Sequence, residues 1–356
     1  MFAVISASGR YIPPKIVSNE DFLSHEFLSP KGESFDKTPQ EIIKKFEEIT
    51  TIKERRYVED NQVCSDIAFL AAKDALESSG IDKESLDYII VAHNWGDVLA
   101  DNRRSDQVPS IASRVKYLLE IENPFCVPYD LPFGCPGWVQ GLIQANYYIK
   151  AGDAKRVMVI GAETLSRIID PHDRDSMLYA DGAGAVILEA VESEEKVGIC
   201  TYLTRSDTKK EAYLLWQQPS YKKEYENDDL FLKMHGHQLY RYALRHVPEV
   251  VKTTLDRAGL HLSDVKKVFI HQANAKMDDA ILERIFRLYD CQNHDPSVMP
   301  LTVSWLGNSS VATVPTLYDL VAKGDMPGHE INSGDWVIFA SVGAGMNINS
   351  IVYKVP

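Results

Sequence analysis

The stretch Ala71-Ala-Lys-Asp-Ala-Leu-Glu-Ser-Ser-Gly-Ile81, continued by Leu86-Asp-Tyr-Ile-Ile-Val-Ala-His-Asn94, returns as Val251-Lys-Thr-Thr-Leu-Asp-Arg-Ala-Gly-Leu260 and Val265-Lys-Lys-Val-Phe-Ile-His-Gln-Ala-Asn274. Each copy reads as an amphipathic helix stopped by glycine, a short polar link, and a β-branched strand ending in histidine. The histidines, His93 and His271, lie 178 positions apart, half of the 356-residue chain. A second pair, Gly152-Asp-Ala-Lys-Arg-Val-Met-Val-Ile-Gly-Ala-Glu163 and Gly334-Asp-Trp-Val-Ile-Phe-Ala-Ser-Val-Gly-Ala344, keeps nearly the same offset. Self-similarity on this scale predicts an α/β fold in two duplicated halves, residues 1–190 and 191–356. Strands alternating with helices imply mostly parallel sheets covered by helices, with sites collecting at the C-terminal strand ends, where both histidines fall.

Working outward, Phe125-Cys-Val-Pro-Tyr-Asp-Leu-Pro-Phe-Gly-Cys-Pro-Gly-Trp-Val-Gln-Gly-Leu142 puts Cys135 at the opening of a predicted helix behind an apolar run. A thiol attacks as its thiolate, and its pKa of about 8.5 is expected to fall at the positive end of a helix. Pro136 suits a first helical turn, and Gly134 and Gly137 permit close approach to the sulfur. A buried core cysteine is the competing reading. Three further segments look chemical: His271-Gln-Ala-Asn274 behind a strand, Leu306-Gly-Asn-Ser-Ser-Val-Ala-Thr-Val-Pro315 with Asn308 in a turn, and the glycine loop Ser341-Val-Gly-Ala-Gly345. Singly, these read as a satisfied core histidine, an Asn turn and a hairpin loop. In this order with Cys135 they are far more specific.

Composition bounds the rest. At 45% hydrophobic and 25% charged the chain supports a large core, and its formal net charge of −13 argues against nucleic acid as a partner. No apolar stretch reaches the ~20 residues of a membrane span, and the N-terminus lacks the pattern of a secretory leader, so a cytoplasmic protein is expected. Cys64, Cys126, Cys135, Cys200 and Cys291 are scattered without a Cys-x-x-Cys pair, which indicates neither a disulfide framework nor a zinc cage. The pair His235 and His237 has no third ligand in view, so no metal is expected. Between the halves, Thr204 to Asp229 mixes charges with Tyr, Leu and Trp and suits either a solvated surface or a flap over a pocket.

These residues resemble the β-ketoacyl-acyl-carrier-protein synthase III group of the thiolase superfamily. The likeness rests on Gly-Cys-x-Gly at Cys135, Asp181-Gly-Ala-Gly-Ala-Val-Ile-Leu188, Met234-x-Gly236, His271-Gln-Ala-Asn274, Gly307-Asn-Ser-Ser310 and the Gly-Ala-Gly loop. The resemblance implies a thiolase-like layered sandwich and a homodimer, with Cys135 acylated and His271 and Asn308 serving decarboxylation of a malonyl thioester. It also implies an oxyanion hole from the N–H groups of Cys135 and Ala344. The chemistry fits: a thiolate takes an acyl group from a thioester readily, and the enolate left by decarboxylation needs two hydrogen-bond donors. Thioester-linked acyl and malonyl groups are then substrates, and no cofactor is expected.

The same resemblance places Met234, Gly236 and Asn274 along the carrier arm, and Lys276 at a basic position for an acidic acyl carrier protein. The pairs Arg241 with Arg245 and Arg284 with Arg287 are spaced to add to that patch. Thr51 stands where the family has glycine, and Lys44 to Ile49 lacks its Trp–Arg clamp for adenine, which puts coenzyme A in doubt as donor. Val108, where a bulky aromatic often bounds the acyl pocket, points to a medium or longer acyl group. Two other functions remain open: acyl transfer from Cys135 to an amine or hydroxyl without condensation, and a scaffold subunit dependent on an active partner.

Overall fold

In the computed structural model, which describes residues 1–225, 228–291 and 295–356, the two repeats fold into two sheets of matching order. The first part of the chain supplies β1 (Phe2–Tyr11), β2 (Lys15–Ser18), α1 (Pro39–Thr50), β3 (Glu54–Tyr57), α2 (Cys64–Ser79), β4 (Tyr88–Ala92) and α3 (Ile111–Leu118). It continues with β5 (Val127–Leu131), α4 (Gly137–Ala151), β6 (Arg156–Thr164) and β7 (Asp181–Val191). The second part runs through β8 (Gly198–Ser206), β9 (Leu215–Gln218), β10 (Phe231–Met234), α5 (Gly236–Ala258), β11 (Val265–Ile270) and α6 (Ala275–Arg287). It ends with α7 (Val303–Leu306), α8 (Thr313–Ala322), β12 (Trp336–Gly343) and β13 (Asn347–Lys354).

The larger sheet has the order β1-β7-β6-β4-β5, and the smaller β11-β12-β13-β8. Strand β4 is parallel to β6, which is antiparallel to β7, which is antiparallel to β1. The smaller sheet repeats this pattern through β11, β12, β13 and β8. The repeated sequences therefore occupy equivalent places: His93 follows β4, and His271 follows β11. The larger sheet has β5 beyond β4, and no described strand lies beyond β11.

Side-chain alternation explains the layers. In β4, Ile90 and Ala92 face a central core, while Ile89 and Val91 face the outer helices α2 and α3. In β6, Val157 and Val159 point inward, and Met158 and Ile160 point outward. The central core holds α4 through Trp138 and Leu142 and α8 through Leu317 and Tyr318, between the two sheets. Helices α5 and α6 cover the other face of the smaller sheet through Val247, Val251, Ile281 and Ile285. Local signals set the helix ends: Thr38 and Glu41 form a reciprocal capping box on α1, and Gly80, Gly152 and Gly259 close α2, α4 and α5 in the left-handed region.

Within the segment between the halves, Leu215–Gln218 forms β9, which pairs antiparallel as a ribbon with β10 just beyond the segment. Residues 226 and 227 of the expected flap lie outside the described residues. The ribbon is tied down by Lys233, wholly buried, whose ammonium meets Asp170 and Asp173 (3.2 Å for the latter) and lies 3.3 Å from the centre of the Tyr221 ring. Asp170 also accepts from Tyr221 N and Ser220 Oγ, both at 2.8 Å. Lys233→Met leaves two buried carboxyl groups without their cation, so the folded state loses about 3–5 kcal/mol. Urea unfolding measures it, and a loss under 1 kcal/mol would show that the carboxyl groups find other partners.

Candidate active site

Cys135 sits in the turn between β5 and α4, where Gly134 at φ +65° reverses the chain and Gly137 N–H donates to Gly134 O at 3.0 Å. One residue, Pro136, separates it from the first turn of α4, close to the expected position. It lines a cavity of about 1000 Å³ together with His271, Asn308, Ser310 and Ala344. The four segments singled out in the sequence thus converge, although 209 positions separate Cys135 from Ala344.

The smaller sheet delivers His271 and Ala344. His271 directly follows β11, its N–H donates to Ala340 O of β12 at 2.9 Å, and its ring is buried with Nδ1 unpartnered among the described residues. Ala344 opens the turn after β12. It lies so close that a Cβ on Gly134 would fall 2.8 Å from Ala344 N, and one on Gly343 would fall 2.6 Å from Cys135 N. The backbone N–H groups of Cys135 and Ala344 are therefore neighbours, the requirement for a shared oxyanion site.

Asn308 enters from the turn after α7, pinned by its N–H to Leu178 O at 2.9 Å and by Ala180 N–H to its own carbonyl at 2.8 Å. Its Oδ1 accepts the Ser310 N–H at 2.9 Å, so the group left for a ligand is the NH2 donor.

The electrostatics correct one expectation. Burial pushes the Cys135 thiol up to about 11, and the nearby Glu163 carboxyl adds to the rise; the Ser310 hydroxyl and the Cys135 N–H pull the other way. A helix terminus supplies about 0.3–1 kcal/mol, less than the desolvation of a thiolate in an apolar cavity. The resting residue is a thiol, and attack requires its proton to leave as the acyl group arrives. Burial drives His271 down to about 4, against a backbone hydrogen bond with Ser310, so the ring is neutral at pH 7.

Burial also pushes Glu163 up to about 7, against the pull of His93 and Asn94. Protons bound differently by the folded and unfolded states make stability depend on pH. The depressed His271 contributes stability that is present above its ordinary value near 6.5 and lost as pH falls toward about 4. The raised Glu163 contributes stability that is full below its ordinary 4.5 and lost as pH rises through about 7. Each limb is worth about 3 kcal/mol. In urea unfolding across pH, His271→Gln flattens the acid limb and Glu163→Gln the alkaline limb; unchanged curves would refute the assignment.

Other expected positions divide. Met234, Gly236 and Asn274 line the cavity. Asn274 also caps α6, its Oδ1 accepting Met277 N–H at 2.9 Å. Lys276 is exposed in the first turn of α6, outside the cavity, and Arg284 reaches Leu244 O at 2.9 Å, bringing α6 against the α5 stretch of Arg241 and Arg245. Val108 is 87% exposed and is not among the residues that line the cavity of its own chain. An antiparallel bridge of Asp97 with Asp106 and the ion pairs of Arg114 with Asp97 and Asp106 hold its loop on the outer surface. The sequence reading missed the wall that α1 supplies through Ile42, Phe46 and Ile49; its strong amphipathic pattern was the available signal. The flap region contributes Leu215, Trp216 and Gln217, and the His235 ring packs on Trp216 at 4.3 Å.

Two matched sheets enclosing paired helices, with a cysteine, a histidine and an asparagine on one cavity, define a condensing enzyme of thiolase-like fold. The solved 3-oxoacyl-[acyl-carrier-protein] synthase III of Aquifex aeolicus VF5 is similar, with a TM-score of 0.79 at 27% identity over 99% of each chain. Residues 129–208 match the family model for 3-oxoacyl-[acyl-carrier-protein] synthase III, and residues 255–355 match that for its C-terminal part. The chain is 32% identical to β-ketoacyl-[acyl-carrier-protein] synthase III 1 of Vibrio vulnificus over 99% of this chain and all of that one. It is 32% identical to the Staphylococcus haemolyticus synthase III over 98% of each. The chain belongs to the 3-oxoacyl-acyl-carrier-protein synthase III family.

Proposed function

We propose that the protein joins an acyl group held as a thioester on Cys135 to a malonyl group carried by acyl carrier protein, releasing carbon dioxide and a β-ketoacyl carrier. The observation that carries this reading is the convergence of Cys135, His271, Asn308 and Ala344 on one cavity. Cys135 Sγ bonds to the acyl carbon as the donor's carbon–sulfur bond breaks, and the thiol proton leaves with the donor sulfur. Malonyl decarboxylation places charge on a thioester oxygen, where His271 and the Asn308 amide supply donors. The carbanion carbon attacks acyl-Cys135, and the N–H groups of Cys135 and Ala344 hold the resulting oxyanion until the sulfur departs as thiolate, which takes one proton from solvent to return to the resting thiol.

The donor reading draws on α1. Thr51 holds the left-handed C-cap of this helix at φ +64°, where glycine is the unstrained choice, and the helix turns apolar residues to the cavity. This supports a donor bound through its acyl chain and carrier arm rather than through an adenine. Cavity volume and apolar walls now support the medium or longer acyl group in place of Val108. The basic stretch around Lys276, Arg241 and Arg245 favours an acidic carrier, whose association weakens with salt. A homodimer fits the unpaired edge of β5, beside which Phe125 is 83% exposed. No helix among the described residues is long and apolar enough to cross a membrane.

The test is intact-protein mass and carbon dioxide release with a chain-length series of acyl-coenzyme A and acyl-carrier donors, followed by malonyl-carrier. Donor-dependent acylation followed by carbon dioxide and a β-ketoacyl product is expected from the protein alone. Acylation with transfer to an amine or hydroxyl and no carbon dioxide would move the assignment to simple acyl transfer. No acylation at all would move it to a partner-dependent subunit.

A further inference from the structure

Ser310 stands among the three members of the proposed triad. Its N–H donates to Asn308 Oδ1 at 2.9 Å, its backbone bonds the buried His271 ring, and its Oγ lies 3.3 Å from Cys135 Sγ. It is buried and holds φ +53°, a left-handed conformation that turns its short side chain back toward the sulfur.

The direction of its hydroxyl proton is fixed from behind. Asn94 Nδ2 lies 3.4 Å from Ser310 Oγ, and an amide NH2 can only donate, so the hydroxyl accepts there. A hydroxyl has one proton, and with that contact taken the proton is left for Cys135 Sγ. The orientation of Asn94 is set in turn by Glu163, 1% exposed on β6, whose Oε2 accepts both the Asn94 N–H at 3.1 Å and Nδ2 at 2.7 Å. An oxygen that accepts the backbone N–H is an acceptor for the side chain too, which excludes the flipped amide. Burial raises Glu163 to about 7, with His93 and Asp181 the titratable groups facing it, so at neutral pH it projects less than a full charge onto the sulfur.

We infer that Ser310 is a further catalytic residue of this site, its hydroxyl donating a hydrogen bond to Cys135 Sγ as negative charge builds there, and that Asn94 and Glu163 are positioning residues that aim it. Ser310 neither gains nor loses a proton: the Cys135 proton leaves with the donor thiol, and the serine only lowers the cost of charge on the sulfur. The role in acyl transfer rests on the proposed function. The sulfur–hydroxyl interaction does not, because it acts on any electrophile that Cys135 attacks.

Brief iodoacetamide alkylation of Cys135, followed by peptide mass across pH 7 to 12, reads that interaction without donor or carrier. Hydrogen bonds to charged groups are strong enough that Ser310→Ala and Ser310→Gly each slow alkylation at neutral pH by roughly tenfold or more and raise its midpoint by about one pH unit. The glycine variant matters because it suits the left-handed backbone, so a fault from strain alone appears in alanine and not in glycine. Asn94→Leu, which removes the donor that orients the Ser310 hydroxyl without removing a charge, shifts the midpoint in the same direction by a smaller amount. A purely structural role would lower the melting temperature and leave the midpoint in place. A Ser310→Gly protein that alkylates with the unsubstituted profile overturns the assignment. Failure of acylation with normal alkylation behaviour would instead count against the proposed function.

Discussion

The Cys135→Ala protein gains no mass from any acyl thioester, while His271→Ala and Asn308→Ala accept the acyl group and then stall. The division follows from geometry. Cys135 carries the thiol on the cavity between the two loops, whereas His271 and Asn308 present donors to it from β11 and from the turn after α7. Burial keeps His271 neutral, so it is suited to donating to a developing enolate oxygen and ill suited to standing as a charged partner of a resting thiolate. Each donor removed from a buried oxyanion site costs about 3–4 kcal/mol of transition-state stabilisation, or 10²–10³ in rate. Malonyl-carrier decarboxylation should therefore fall by about 10²–10³ in either variant, and by less than the product of the two in the double variant, because the donors share one oxygen. Single-turnover acylation measured by mass, beside carbon dioxide release, separates the half-reactions. Loss of acylation in His271→Ala as complete as in Cys135→Ala would reassign His271 as the base for the thiol.

The architecture was legible because duplication leaves a trace on two levels. The helix–glycine–strand–histidine pattern recurs half a chain apart, and the recurrences occupy equivalent strands, β4 with β11 and β6 with β12. Cys135, His271, Asn308 and Ala344 could be chosen because each sits at a strand end or tight turn whose backbone is written in local residues. Ser310 stands two positions from Asn308 and was passed over, since its part depends on Asn94 and Glu163, which approach from other strands. The thiol shift was read with the wrong sign for a related reason: a helix start is visible in sequence, and the depth of a cavity is not. Val108 shows the remaining gap. A motif position assigns a residue to a pocket, but an ion-paired loop of this chain carries it to the surface.

Gly343→Ala should cut acylation by about 10² or more while leaving the fold intact, since a displacement near 1 Å at a reacting group can cost that much. The Cβ it adds would lie 2.6 Å from Cys135 N, 2.7 Å from Pro136 Cδ and 2.8 Å from Cys135 Cβ, distances at which something must move. Two of those atoms are backbone or ring, held by β12 on one side and the start of α4 on the other. Relief comes from parting the two loops, which carries the N–H of Ala344 away from that of Cys135 and opens the oxyanion site. Strain of this kind is shared by neither sheet core, so the loss falls on rate more than on stability. Gly152→Ala is the matched control: at φ +79° with nothing within 4 Å of the new Cβ, it loses about 1 kcal/mol of stability and keeps its acylation rate. Stopped-time mass measurements of acyl-Cys135, with thermal unfolding of both variants, check the pair. Acylation of Gly343→Ala at the unsubstituted rate would show that the close approach of the two loops is a packing feature and that the oxyanion is held elsewhere.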